Sequence, residues 1–285
     1  MLTITIVFRA PETCGNFEHT SLLLERTLTS LANQSNENFR VVVVCNELPI
    51  LKGTYDVEFK QVDFPIPKSR HEVFMDRGIK RLIALQTCLK EPSGKHFMML
   101  DADDLVSCNL VSKVLHHLKK HPNGLCFEAG YLLDFDARRL HKKFGFNHYC
   151  GSSLVLNLDN LFPFLNCEKD IFLQLSSYQD FLENCDMYVT KELLGGHRDQ
   201  KAFFKKKGLS LKELYEPLVV WVINNGENVS KTKIGYGSVS IDKNFIAEYS
   251  AFELDICHKS LLERFTAEFR YLKSILGCMA RKVIR

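Results

Sequence analysis

The densest group of reactive side chains in the chain is Asp101-Ala102-Asp103-Asp104, three carboxylates within four residues. Carboxylates this close repel one another, and holding them together is costly unless a cation neutralises them. An all-oxygen donor set suits Mg²⁺ or Mn²⁺, ions that also grip the oxygens of a nucleotide diphosphate. A metal placed there stabilises a departing diphosphate. The plain structural alternative is an acidic turn that caps the following helix through Asp104 or Ser107.

Two other metal patterns share these residues. A calcium loop of the EF-hand kind requires Gly at its sixth position and Glu at its twelfth. Counted from Asp101, those positions hold Val106 and Ser112, so the pattern fails. Phosphatases of the haloacid dehalogenase type also carry D-x-D after an apolar strand, with Thr or Val two residues beyond the second Asp. Here Leu105 stands there. A metal-dependent phosphohydrolase of that type is the runner-up enzyme.

The elements around the cluster give it a place. Residues 2–8, 39–45, 57–62 and 95–100 read as strands, the second a continuous apolar run of the kind buried on both faces of a parallel sheet. Residues 20–31, 72–89 and 110–120 carry apolar side chains at helical spacing, the last stopped by Pro122 and Gly124. The order β-α-β-β-α-β-α predicts an α/β fold with a Rossmann-like, mostly parallel sheet flanked by helices. Asp101 then follows a buried strand directly, at the edge where such sheets bind ligands. Beyond residue 122 the pattern predicts strands at 125–135, 152–158 and 218–224, the last with the only tryptophan, Trp221. Short helices are expected within 160–184 and a helix at 198–207. Residues 254–285 read as a long amphipathic helix or a pair of helices.

Composition narrows the function classes. The net charge of +3 over 285 residues and a pI near 8.3 are too mild for a protein whose main partner is nucleic acid. Ten cysteines are scattered without any C-x-x-C pair, which reads as free thiols in a reducing compartment. No stretch reads as a signal peptide or a membrane span. The expectation is a cytoplasmic protein.

In order and spacing, the chain resembles the GT-A glycosyltransferases, particularly the family 2-like bacterial enzymes. The likeness covers roughly residues 1–235. It rests on Ile4-Thr5-Ile6-Val7-Phe8-Arg9, on Val41-Val42-Val43-Val44-Cys45-Asn46-Glu47, on Asp76-Arg77-Gly78-Ile79-Lys80-Arg81 and on Met99-Leu100-Asp101-Ala102-Asp103-Asp104. The resemblance implies a hexosyltransferase-like enzyme of polysaccharide biosynthesis. Its donor is a nucleotide-diphosphate sugar, its acceptor a glycan or glycolipid, and its metal Mn²⁺ or Mg²⁺. It also implies a nucleotide-sugar-binding half (1–122), an acceptor-facing half (123–235) and a C-terminal helical extension (236–285). A non-catalytic module binding sugar nucleotides or glycans is the alternative from another class, because fold alone does not separate them.

By the same resemblance, Arg9 and Ala10 frame the nucleotide and Glu47 contacts base or ribose. The family usually carries Asp in that second loop, where this chain has Asn46-Glu47. Arg77 and Lys80 are the candidates for phosphate. Asp101, with Ala102 beside it, faces ribose or donor sugar, and Asp103 and Asp104 hold the metal. The candidates for the base that deprotonates the acceptor are Asp199, His197 and Asp180. The first two follow Gly195-Gly196, and His197 is also a candidate metal ligand. The alternative for Asp199 is a helix-starting acid. Cys150-Gly151-Ser152-Ser153 resembles the small-residue segment that lets acceptor approach donor. Asn224 and Asn225 stand where the family often has a late His. The basic C-terminal residues Arg264, Arg270, Lys273, Arg281, Lys282 and Arg285 allow peripheral contact with an anionic membrane at its inner face.

Overall fold

The computed structural model describes residues 1–90, 95–196, 200–227, 238–252, 254 and 259–283, with the backbone alone for 278–283. The first half builds β1 (Leu2–Val7), α1 (Phe17–Ala32), β2 (Phe39–Cys45), β3 (Glu58–Gln61), α2 (Arg70–Leu89), β4 (His96–Asp101), β5 (Leu105–Val106) and α3 (Leu110–Leu118). Next come β6 (Gly124–Phe127), β7 (Ala129–Asp134), β8 (Arg139–Phe144), β9 (Leu154–Asn157), α4 (Leu158–Leu165), α5 (Lys169–Phe172) and α6 (Tyr178–Asn184). A π-helical turn (Val189–Gly195) precedes α7 (Gln200–Lys206), β10 (Lys212–Leu214), β11 (Val219–Ile223), α8 (Lys243–Tyr249) and α9 (Leu261–Val283).

Seven strands form the main sheet in the order β10-β6-β9-β4-β1-β2-β3. All its pairings are parallel except those of β9, which runs against β4 and β6. The fold is therefore the mostly parallel α/β sheet flanked by helices that the sequence predicts, with a helix at the C-terminal side. Its hydrophobicity explains the layering. Leu2, Ile4 and Ile6 of β1 and Val41 and Val43 of β2 pack with Leu24 and Leu28 of α1 and Leu110 and Val114 of α3. On the opposite face, Phe97 and Met99 of β4 meet Ile79, Leu82 and Leu85 of α2. Both faces of the central strands are thus covered, which is why β2 and β4 read as apolar runs, while β1 buries Thr3 and Thr5 between its apolar residues.

Four elements differ from the sequence expectation. The strand expected at 125–135 is two strands in two sheets. β6 belongs to the main sheet, and β7 joins a second sheet of order β5-β11-β7-β8. The break falls at Glu128, whose buried carboxylate is paired with Lys201. β8 is hidden in the sequence by its composition, Arg-Leu-His-Lys-Lys-Phe, yet it pairs along all of β7. Residues 151–153 form a 3-10 turn before β9, and the final helix starts at Leu261. The eight cysteines among the described side chains are free thiols.

Candidate functional site

β1, β2 and β4 end level with one another. In register, Val7 lies beside Val44 on one side and Asp101 on the other. The chain leaves β1 toward β2 and β3, then returns to place β4 on the opposite side of β1. In open α/β sheets such a reversal marks the crevice beyond the strands' carboxyl ends, here those of β1 and β4, as the usual ligand position. Arg9 and Ala10 follow β1, Asn46 and Glu47 follow β2, and Asp101 ends β4 with Asp103 and Asp104 just beyond it.

The three aspartates have different surroundings. Asp101 accepts a hydrogen bond on Oδ1 from Arg81 Nη2 at 2.9 Å. Its backbone N–H donates to Ser152 Oγ at 2.8 Å. Gly151 backs its other oxygen so closely that a Cβ there would stand 2.7 Å from Oδ2. Asp103 is half-buried and accepts from Asn225 Nδ2 at 2.8 Å. Burial, and then the charge of Asp101, push its pKa up to about 6. Asp104 is fully buried. Its oxygens receive Ser152 Oγ at 2.6 Å, Cys150 Sγ at 3.3 Å and the Val222 N–H at 3.1 Å. Burial and the two neighbouring carboxylates raise its pKa well above the usual range. Asp104 is therefore not placed to hold a metal: it turns inward and ties the cluster to β11 and the 151–153 turn. Thr27 of α1 fixes the same loop by donating to the Ala102 carbonyl at 3.0 Å.

α2 lines one wall. Ser69 starts it by accepting the Glu72 N–H at 3.2 Å. The helix lies against the π-helical turn so tightly that no side chain fits at Gly78, which meets the Thr190 carbonyl, or at Gly195, which meets the Phe74 carbonyl. Arg81 is buried and bridges Asp101 to the Leu194 carbonyl. Burial lowers it to about 10, which leaves it charged at neutral pH, and Asp101 opposes that shift. Arg77, one turn earlier, is half-buried, and its positive charge lowers the pKa of Asp103 and of Asp76. The expectation for Lys80 does not hold. Its side chain is fully buried, 2.9 Å from Asp76 and 3.5 Å from the Phe8 carbonyl. It faces the sheet and not the crevice, because one residue along a helix turns the side chain by about 100°.

The loops after β1 and β11 close the opposite wall. Arg9 reaches Glu227 at 3.3 Å and the Thr13 carbonyl. Glu227 also accepts the N–H groups of Gly15 and Asn16 at 3.1 and 2.9 Å. His19 Nε2 meets the Asn225 carbonyl at 2.7 Å. Arg9 therefore clamps two loops together where a nucleotide was expected to sit against it. Ala10 is buried, and its carbonyl accepts the Thr13 N–H. Glu47 is exposed. Beside it, Asn46 Nδ2 donates to the Phe64 carbonyl at 3.1 Å, while its Oδ1 is buried without a partner among the described residues. An unmet buried acceptor at a strand end is a natural place for an N–H of a ligand.

Asp180 does not serve as a base here. Its carboxylate caps α6, accepting from the backbone of Ser176 and Ser177 at 3.0 and 2.8 Å. Those bonds hold its pKa below the usual range, the wrong direction for a proton acceptor. His197 and Asp199 lie outside the described residues. The chain on both sides of them is anchored: Arg81 binds the Leu194 carbonyl, and Gln200 reaches back to the Gly196 carbonyl at 3.2 Å. Arg81 and Glu227 had no role of their own in the sequence reading, while Ser152 entered it only as part of a small-residue segment and Asn225 only as standing where a late His was expected. Arg81 alone carried a signal, its spacing of four from Arg77.

Among the described residues, no cluster of three or more His, Cys, Asp and Glu side chains is arranged to hold a metal by itself. Mg²⁺ and Mn²⁺ need less than that, because one or two carboxylates suffice when substrate phosphates and water complete the shell. Asp103, with its raised pKa, and Asp101 fit such a site.

No protein-family model matches the chain, and no curated protein matches it. Among solved structures, it is similar to S. aureus TarS 1-349 in complex with UDP at 13% identity and a TM-score of 0.43, over 78% of this chain and 60% of that one. The structure of S. aureus TarS 1-349 without that ligand matches at 12% identity and a TM-score of 0.41, with the same coverage. The 2-C-methyl-D-erythritol 4-phosphate cytidylyltransferase from Thermus thermophilus matches at 10% identity and a TM-score of 0.41, over 89% of this chain and all of that one. The chain spans 60% of the length of the two TarS structures.

Proposed function

We propose that the crevice binds a nucleotide-diphosphate sugar and that the protein transfers its glycosyl group to a glycan or glycolipid acceptor. The observation that carries this reading is the meeting, at the strand-order reversal, of a carboxylate whose ionisation is disfavoured with fixed arginines. Asp103 is held at about 6, and Arg81 stands 2.9 Å from Asp101. A cation and a diphosphate together answer both charges. Asp103 and Asp101 would hold Mn²⁺ or Mg²⁺, which supplies charge stabilisation for a leaving diphosphate. Arg77 stabilises phosphate oxygens directly. Asn46 Oδ1 accepts an N–H of the base, next to the exposed Glu47. Gly151 lets the Asp101 carboxylate sit where a Cβ would displace it. The acceptor proton goes to Asp199 or His197.

Melting of the purified protein with UDP-, GDP- and dTDP-sugars, each with Mn²⁺ or with chelator, tests the reading. A metal-dependent rise for one donor supports it, and release of that nucleoside diphosphate on adding a glycan acceptor completes it. Absence of any rise with all donors rejects it. Phosphate released from a simple phosphoester marks a hydrolase in its place.

A further inference from the structure

α9 has two unlike faces. One rests on β8: Ala267 is buried, Tyr271 meets the ring of Phe144 at 6.4 Å, and Glu268 accepts from Lys142 at 2.9 Å. The other carries Leu262, Phe265, Phe269, Leu272 and Leu276 at spacings of three and four, the period of one helix side. These side chains are 65%, 71%, 61%, 56% and 66% exposed, and Leu261 beside them 82%. A continuous apolar stripe of this length left in water marks a binding surface.

Charge selects what covers it. Residues 261–285 contain Arg264, Arg270, Lys273, Arg281, Lys282 and Arg285 against only Glu263 and Glu268, a net +4 in a chain of net +3. Both acids are engaged within the molecule, Glu263 by Ser260 N at 3.2 Å and Glu268 by Lys142. Arg264 and Lys273 stand on opposite flanks of the stripe at about 100° per residue. A second copy of the helix would bring like charges together along both flanks. An anionic lipid surface would receive the apolar stripe and the basic flanks at once.

We propose that α9 anchors the protein on anionic membranes, lying in the headgroup layer with the Leu262–Phe265–Phe269–Leu272–Leu276 stripe inserted. Among the described residues no helix is long and apolar enough to cross a membrane, so the helix lies on the surface. The inference is independent of the chemistry in the crevice.

Co-sedimentation of the full chain with phosphatidylcholine vesicles, and with mixed phosphatidylcholine–phosphatidylglycerol vesicles, tests it. The native protein should partition at least about tenfold more strongly to the anionic vesicles, with the preference weakened by salt. Phe265→Ser with Phe269→Ser should lower partitioning at least about tenfold while leaving the melting temperature unchanged, because both rings are exposed. Arg270→Glu with Lys273→Glu should abolish the anionic preference. Equal binding to both vesicle types, or unaltered binding by the serine variant, overturns the proposal. So does a native dimer, seen by sedimentation equilibrium, that the serine variant splits and that ignores vesicles.

Discussion

Replacing Asp103 with Asn should stabilise the metal-free protein at neutral pH, although it deletes a charge from the candidate site. Burial and the neighbouring Asp101 hold the Asp103 carboxyl at about 6, against a usual 3.8. Its folded value is raised above its unfolded value. The stability it contributes is therefore complete below about pH 4 and is lost as pH rises through about 6. A gap of roughly two pKa units corresponds to a burden of about 3 kcal/mol once the carboxylate is ionised. Asparagine keeps the shape and an oxygen for the Asn225 Nδ2 donor, now 2.8 Å away. It gives up the charge-assisted part of that bond, about 1 kcal/mol. The variant should thus be more stable by about 2 kcal/mol above about pH 7. Denaturant melts of both proteins in chelator, across a pH series, read this directly. The difference should be near zero around pH 4 and level off above about pH 7. Adding Mn²⁺ should stabilise the native protein at the upper end and leave the variant nearly unmoved. A variant less stable than the native protein at neutral pH, or a gap that does not change with pH, would refute the electrostatic account.

Arg77→Ala should weaken donor binding at least about tenfold with melting unchanged, since its half-buried guanidinium lies near enough to act on Asp103; undiminished binding by calorimetry removes it from the phosphate set. Lys80→Met should do the reverse, costing about 3–5 kcal/mol by stranding the buried Asp76. Adding Asp76→Leu should recover most of that loss, and a melt that shows no recovery contradicts the buried-pair reading. Asp104→Ala should cost about 3 kcal/mol by leaving three buried donors unmatched; a neutral effect on the melt would mean Asp104 is not the bracket described. Gly151→Ala should push the Asp101 carboxylate off its position 2.7 Å from the new Cβ and lower turnover far more than stability. Equal losses in both would point to a general packing defect.

The framework of the site was legible because its signals are local. The apolar runs of β2 and β4, the β-branched strand β1 and the position of Asp101 at the end of β4 follow from adjacent residues alone. The division of labour among the three aspartates was not legible. Asp104 is set apart by Ser152 and Val222, which lie far along the chain and carry no spacing that links them to it. Glu227 escaped notice for the same reason, and Asn225 was singled out only for the His it replaces. α2 misled for a different one. It is buried at Met75, Asp76 and throughout Gly78–Leu82, so its apolar pattern wraps around the helix and does not reveal which cation faces the crevice. Lys80 and Arg81 are neighbours in sequence, yet one pairs with Asp76 and the other with Asp101.

These assignments together constrain the ligand more than the D-x-D spacing does. Asp104 turns inward onto three donors, and burial and its neighbours disfavour its charged form. Asp101 is matched by Arg81. Among the described residues, burial disfavours ionisation of Asp103, and Arg77 lies near enough for its charge to act on that carboxylate. A neutral ligand answers neither group. A bare anion answers Arg77 and worsens the repulsion at Asp103, and a bare cation does the opposite. A ligand that brings both signs, such as the divalent ion and diphosphate proposed above, would answer both groups at once. This predicts strongly coupled binding: metal and nucleoside diphosphate should each raise the other's affinity by the same factor, as linkage requires. Titrations of each in the presence and absence of the other, returning independent affinities, would remove the charge argument on which the transferase reading rests.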